Sequence, residues 1–145
     1  MYRRTRGELE FFLAHPGGPF SRTKDDGHWT IPKGEPEADE PLLEVAKREF
    51  REETGIEPRE PYIELGCIQQ KGGKWVHAWG FEGECHGPIC SNTFQMEWPP
   101  GSGRICAFPE VDRAAFFPFN EACQKIKGTQ VPLLERLAAL LKESG

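Results

Sequence analysis

"REFREETG", residues 48–55, is the stretch on which the rest of the chain turns. Glu49, Glu52 and Glu53 crowd together in a protein whose formal net charge is already −5. Upstream, Leu42, Val45, Ala46 and Phe50 recur at i, i+3, i+4 and i+8, the stripe of an amphipathic helix running from about Pro41 to Thr54. Gly55 is a natural stop, because glycine takes the left-handed conformation that ends many helices. On that helix Glu49 and Glu53 lie about 40° apart, and Glu52 about 60° to the other side of Glu49. The three carboxylates therefore share an arc of about 100° beside the apolar stripe. Like charges at this spacing repel, and partial burial strengthens the repulsion. A hard divalent cation relieves it by oxygen ligation. Taken alone, the stretch also fits a solvated helix face, since Glu44, Arg48 and Glu52, with Lys47 and Arg51, permit weak side-chain pairing.

The preceding loop shifts that balance. "WTIPKGEPEADE" is stiffened by Pro32, loosened at Gly34, and feeds the helix N-terminus, where backbone N–H groups favour anions. Lys33 adds a positive charge. A loop that welcomes phosphate beside a carboxylate cluster suits a metal-bridged phosphate ligand.

Composition narrows the alternatives. The 145 residues suit one domain over 1–145 with a moderate core. The acidic balance argues against a nucleic-acid polymer as partner. No apolar run is long enough to cross a bilayer, and the basic N-terminus lacks the apolar segment of a secretory signal, so a cytoplasmic protein is expected. Cys67, Cys85, Cys90, Cys106 and Cys123 form no CxxC pair, and the Cys85, His86, Cys90 group lacks the second matching pair of a zinc site. They read as reduced thiols.

Along the chain, "GELEFFLAHP" (7–16) reads as a strand ending at a Pro-Gly-Gly turn. "HWTIPKGEPEADE" begins as a short strand and becomes a loop. "YIELGCIQQ" and "KWVHAWGFEG", joined by "KGG", form a hairpin. "SNTFQMEWPPGSGR" is a mixed loop or short strand before a turn, and "VDRAAFFPF" is a strand. "NEACQKIK" is a short helix that Asn120 is placed to cap, and "VPLLERLAALLKE" an amphipathic closing helix. Interleaved strands and helices predict a mixed sheet flanked by helices.

Gly34, five residues, Glu40, seven residues, then Arg48-Glu49-Phe50-Arg51-Glu52-Glu53-Thr54-Gly55-Ile56 resembles the full Nudix box, GX5EX7REUXEEXGU, at residues 34–56. Every fixed position agrees; Phe50 stands where an aliphatic residue is commoner. The chain is thereby identified as a member of the Nudix hydrolase family. The resemblance implies an α/β/α sandwich and metal-dependent hydrolysis of a phosphoanhydride bond in a nucleoside diphosphate-linked substrate. It also implies that Glu49, Glu52, Glu53 and the Gly34 carbonyl ligate Mg²⁺ or Mn²⁺. Arg48 would hold the carboxylates by a salt bridge, and Glu40 and Gly55 would support the arrangement. "WTIPKG" resembles the WxxPKG entry of members that cleave dinucleoside polyphosphates, diphosphoinositol phosphates or nucleoside triphosphates. A non-hydrolysing nucleotide sensor on the same fold is the alternative; such modules usually lose box carboxylates, and this chain keeps them.

Water attack at phosphorus needs a proton acceptor. Glu52 is the first candidate, Glu97 in "FQMEWPP" the second, and Glu110 in "FPEVDR" the fallback. Lys33, Lys71 and Lys74 are candidate phosphate contacts, although a solvated hairpin turn accounts for the last two equally well. Trp29 and Trp98 are candidate stacking partners for a base. Trp75 and Trp79 share strand parity with His77 and Phe81, which predicts a packed sheet face. Oligomeric state is left open.

Overall fold

The structure is a computed structural model, and it describes residues 1–33 and 39–143. β2 (Glu8–Pro16) is its organising strand, flanked antiparallel by β1 (Tyr2–Thr5) and β7 (Val111–Pro118). Residues 11–15 are all buried, because both faces of β2 are covered. Phe11 and Leu13 point into the larger core with Leu133, Leu134 and Leu137 of α3 (Val131–Glu143). Phe12 points the other way, against Phe50 of α1 (Leu42–Thr54) and Phe81. Period-2 alternation thus feeds two cores, one under each helix layer. The expected α/β/α class is the observed one.

The β3 (Ile63–Gln69) and β4 (Trp75–Gly80) hairpin forms as expected. The short strand β5 (Thr93–Glu97) also forms, and it pairs antiparallel with a strand the sequence did not announce, β6 (Ile105–Pro109). Parallel pairing among the described residues is confined to isolated bridges, Tyr2 to Glu82 and Trp29 to Ile126. α2 (Phe119–Lys125) has Pro118 in the N-cap position, so Asn120 lies inside the helix and does not cap it. The five cysteines are free. No helix among the described residues is long and apolar enough to cross a membrane.

α1 ends where the box glycine requires it. Gly55 has φ +75° and donates its N–H to the Arg51 carbonyl. A Cβ there would lie 3.0 Å from the Cys90 Cβ, so conformation and close approach both demand glycine. Phe50, the unusual box residue, meets Phe81 edge-on at 5.0 Å between ring centroids.

Candidate active site

Arg48 is the hub of the box. Its Nε and Nη2 donate to the two oxygens of Glu40 at 3.0 and 2.9 Å. Its Nη1 donates to Glu49 Oε1 at 2.9 Å and to Glu52 Oε2 at 3.2 Å. The guanidinium fork suits several carboxylates at once, and these carboxylates hold Arg48 well above the usual arginine range, the hydrogen-bonded Glu40 most of all.

Glu53 stands apart from that hub. It accepts a hydrogen bond from the Lys33 backbone N–H at 2.8 Å. Burial pushes its carboxyl up to about 8; the Lys33 N–H opposes this, and the charges of Glu49 and Glu110 add to it. Glu49 is raised as well, by burial first and by Glu52 and Glu110 among its neighbours, against the pull of Arg48. Partly desolvated carboxylates that raise one another's proton affinity are under-compensated.

The hard oxygens present have the donor chemistry of a magnesium or manganese site. Among the described residues, no three such groups already converge as a finished ligand shell. Arg48 sits between Glu49 and Glu52 as their countercharge. The Gly34 carbonyl, the fourth expected ligand, lies outside the described residues.

Long-range pairing places the loop that carries Lys33. Thr30 and Ala14 exchange backbone hydrogen bonds at 2.8 and 2.9 Å. Trp29 N–H donates to the Lys125 carbonyl, and Lys127 N–H to the Trp29 carbonyl. Gln130, wholly buried, accepts from Thr30 Oγ1 and the Ile31 N–H, both at 3.0 Å, and its amide donates to Gln70. No motif marks Gln130, yet it ties the loop to the β3–β4 turn. Lys127 is a second cation missed in the sequence; burial first, then Lys33, lowers its pKa.

Other expectations divide. Trp29 is 5 % exposed, with Nε1–H bonded to Asp25 and Phe117 and His15 against its ring; it is a core residue with no open face for a base. Glu97 is exposed and accepts the Gly101 N–H across its own turn. It lies four residues along β5 from Thr93, roughly 13 Å, at the opposite end of the β5–β6 pair from Asn92 and Glu110. Trp98 packs edge-on against Phe20 at the same end of the hairpin. Glu110, the fallback, is the downstream glutamate whose segment is tied to the box helix. Its N–H donates to the Asn92 carbonyl, Asn92 N–H donates to the Glu52 carbonyl at 2.7 Å, and its charge acts on Glu49 and Glu53. Lys71 and Lys74 are exposed in the turn that Gln70 links to Gln130. The packed face predicted for β4 holds only at its far end: Phe81 is buried and Trp79 half-buried, but Trp75 and His77 are exposed, while Ala78 and Gly80 of the other face are buried.

A helix presenting an arginine-clamped glutamate cluster, beside a loop pinned onto a central strand, defines a class, and the chain belongs to it. The NUDIX domain family model matches residues 3–137, so this is a member of the Nudix family. Its fold is similar to that of a C. elegans Ap4A hydrolase in a binary complex, with TM-score 0.67 and 22 % identity over 98 % of this chain and 93 % of that one. The NUDIX domain of Shewanella oneidensis NrtR complexed with ADP ribose has TM-score 0.67 and 15 % identity, covering 97 % and 82 % of the two chains. The E. coli ORF135 protein has TM-score 0.59 and 23 % identity, covering 98 % and 87 %. No curated protein sequence matches significantly.

Proposed function

We propose that the protein is a metal-dependent Nudix pyrophosphohydrolase. It cleaves a phosphoanhydride bond in a nucleoside diphosphate-linked substrate, a dinucleoside polyphosphate or a nucleoside triphosphate. One observation carries the reading. Glu40, Glu49, Glu52, Glu53 and Glu110 gather around Arg48 and Lys33, leaving desolvated negative charge at the positions of the complete box.

Glu49, Glu52 and Glu53 are the residues that would hold Mg²⁺ or Mn²⁺, which would supply Lewis-acid stabilisation of the phosphate oxygens. Arg48 keeps Glu49 and Glu52 in place through the hydrogen bonds of its Nη1. Lys33 and Lys127 supply positive charge for the phosphate chain, and Lys71 and Lys74 extend it along the hairpin turn. Water attacks phosphorus, the bridging P–O bond breaks, and a carboxylate accepts the water's proton. Glu52 is assigned that proton. Glu110, exposed and with its charge felt by Glu49 and Glu53, is taken ahead of Glu97 as the second candidate. Two fold neighbours, an Ap4A hydrolase and a NUDIX domain complexed with ADP ribose, accord with the broader class of nucleoside diphosphate-linked substrates.

The test is a screen of nucleoside triphosphates, nucleotide sugars and dinucleoside polyphosphates with Mg²⁺ or Mn²⁺. Phosphate release is expected from at least one class, and Glu52→Gln is expected to abolish it with a melting temperature near wild type. Unchanged turnover in that variant would end the assignment.

A further inference from the structure

We propose that the cavity between α1 and β4 seats the substrate's nucleobase, with Trp75 as its stacking platform; this rests on the function proposed above. The cavity measures about 160 Å³, the scale at which an apolar protein cavity accepts one aromatic ring. Its walls include Leu43 and Ala46 of α1, Trp75 and Trp79 of β4, and Pro32 and Lys33 of the loop.

Lys33 decides what the cavity is for. Its backbone N–H holds Glu53, and the same residue lines the cavity. The carboxylate cluster and the apolar slot are therefore neighbours that share a residue. A ligand whose phosphates lie over the cluster has its remaining part at the mouth of the slot.

The chemistry of the walls selects that part. Trp75 is 61 % exposed, although it stands in a strand beside an apolar cavity. Exposure alone would be ordinary for a single side chain; it is the apolar cavity alongside that gives this open aromatic face a use in recognition. β4 pairs only with β3 among the described residues, so its other edge offers backbone donors and acceptors to the polar rim of a planar ring. Lys33 and Lys47 line the same cavity, and Lys71 and Lys74 lie in the turn that leads into β4. A purely apolar ligand has no use for this basic surround. A flat base on a phosphate chain uses both. The buried Trp29 and the distant Trp98 lose the stacking role to Trp75.

Titration without hydrolysis tests the site. The probes are AMP and GMP, with ribose 5-phosphate and inorganic phosphate as base-free controls, followed by the four tryptophan indole N–H resonances. AMP or GMP is expected to move Trp75 and Trp79 and leave Trp29 and Trp98 in place, while the controls leave all four unmoved. Trp75→Ala, at an exposed position, should weaken nucleotide binding at least tenfold with an unchanged melting temperature. Trp75→Phe should restore most of it, and Trp98→Ala should change nothing. The proposal is overturned if ribose 5-phosphate binds as tightly as AMP, if nucleotide binds without moving Trp75, or if no nucleotide binds at millimolar concentration. A silent Trp75 together with a dead Glu52→Gln variant sinks the base site alone. Full turnover in Glu52→Gln sinks the proposed function itself.

Discussion

Glu53 and Glu97 each accept one backbone N–H, and the resemblance ends there. Glu53 takes its hydrogen from Lys33, twenty residues away in sequence. It thereby joins α1 to a loop, and burial raises its proton affinity. Glu97 takes its hydrogen from Gly101, four residues away, in an exposed turn. The first carboxylate is held in a field that makes its charge costly; the second closes its own hairpin in water. Similar local chemistry therefore has different consequences, decided by reach and burial.

Turnover is where the two should differ most. Glu53→Gln and Glu52→Gln are each expected to lower metal-dependent phosphate release by about 10²-fold or more, whereas Glu97→Gln should stay within about twofold. A Glu97→Gln variant as inactive as Glu53→Gln would reverse the comparison and return the downstream base to β5.

The pH dependence of stability comes next in size. The folded carboxyl of Glu53 is raised above its ordinary value of 4.5 to about 8. Its contribution is therefore fully present below pH 4.5 and is lost as pH rises towards 8, because the folded state binds more protons over that window. Glu49 is raised in the same direction. Without metal, the melting temperature should fall across this range by the equivalent of a few kcal/mol at most. Glu53→Gln should flatten the slope, and Glu97→Gln should leave it intact. Added Mg²⁺ should flatten it in the wild type, since a ligand that binds only the folded state restores stability. A flat profile in metal-free wild type would show that the box carboxylates are not desolvated as described.

A third difference concerns the backbone that delivers each glutamate. Gly55→Ala at the end of α1 forces a side chain into φ +75° and against Cys90. We expect about 1–2 kcal/mol of destabilisation from the left-handed conformation alone, read as a shift in denaturant midpoint. Gly101→Ala, also at positive φ but with nothing near its Cβ position, isolates the conformational part. Equal losses at the two sites would remove the packing contribution assigned to Cys90.

The same contrast explains what was legible in the sequence. α1, β2 and the β3–β4 hairpin announced themselves because apolar period and turn residues are local signals. β1 escaped because only Tyr2 of its four residues is buried, and β6 because its alternate residues Ile105 and Ala107 are exposed behind a Pro/Gly turn. At the site, the box spacing made Arg48 and the glutamates readable. Glu110 was readable only as the fallback, and Lys127 and Gln130 not at all, since each reaches the site through pairing between residues far apart in sequence. Trp29 was misread for the same reason: its burial depends on strand and loop partners at 117 and 125–127. Trp75 was misread because a strand's alternation identifies two faces without saying which one is covered.

The smallest expected effect bears on the turn itself. Glu97→Gln keeps an oxygen that can accept the Gly101 N–H, and the residue is exposed, so stability should change by no more than about 0.5 kcal/mol. Glu97→Ala removes the acceptor; the freed N–H turns to water at an exposed site, and the cost stays within about 1 kcal/mol. Chemical denaturation of the two variants beside Glu53→Gln, all at pH 8 without metal, separates the roles by sign. The Glu97 variants should be neutral or slightly weaker than wild type, and Glu53→Gln should be stronger, because it deletes a buried charge while keeping an acceptor for Lys33. A Glu53→Gln variant weaker than wild type under those conditions would mean that its carboxylate is stabilised in place, and the case for a site strained towards a cation would fall with it.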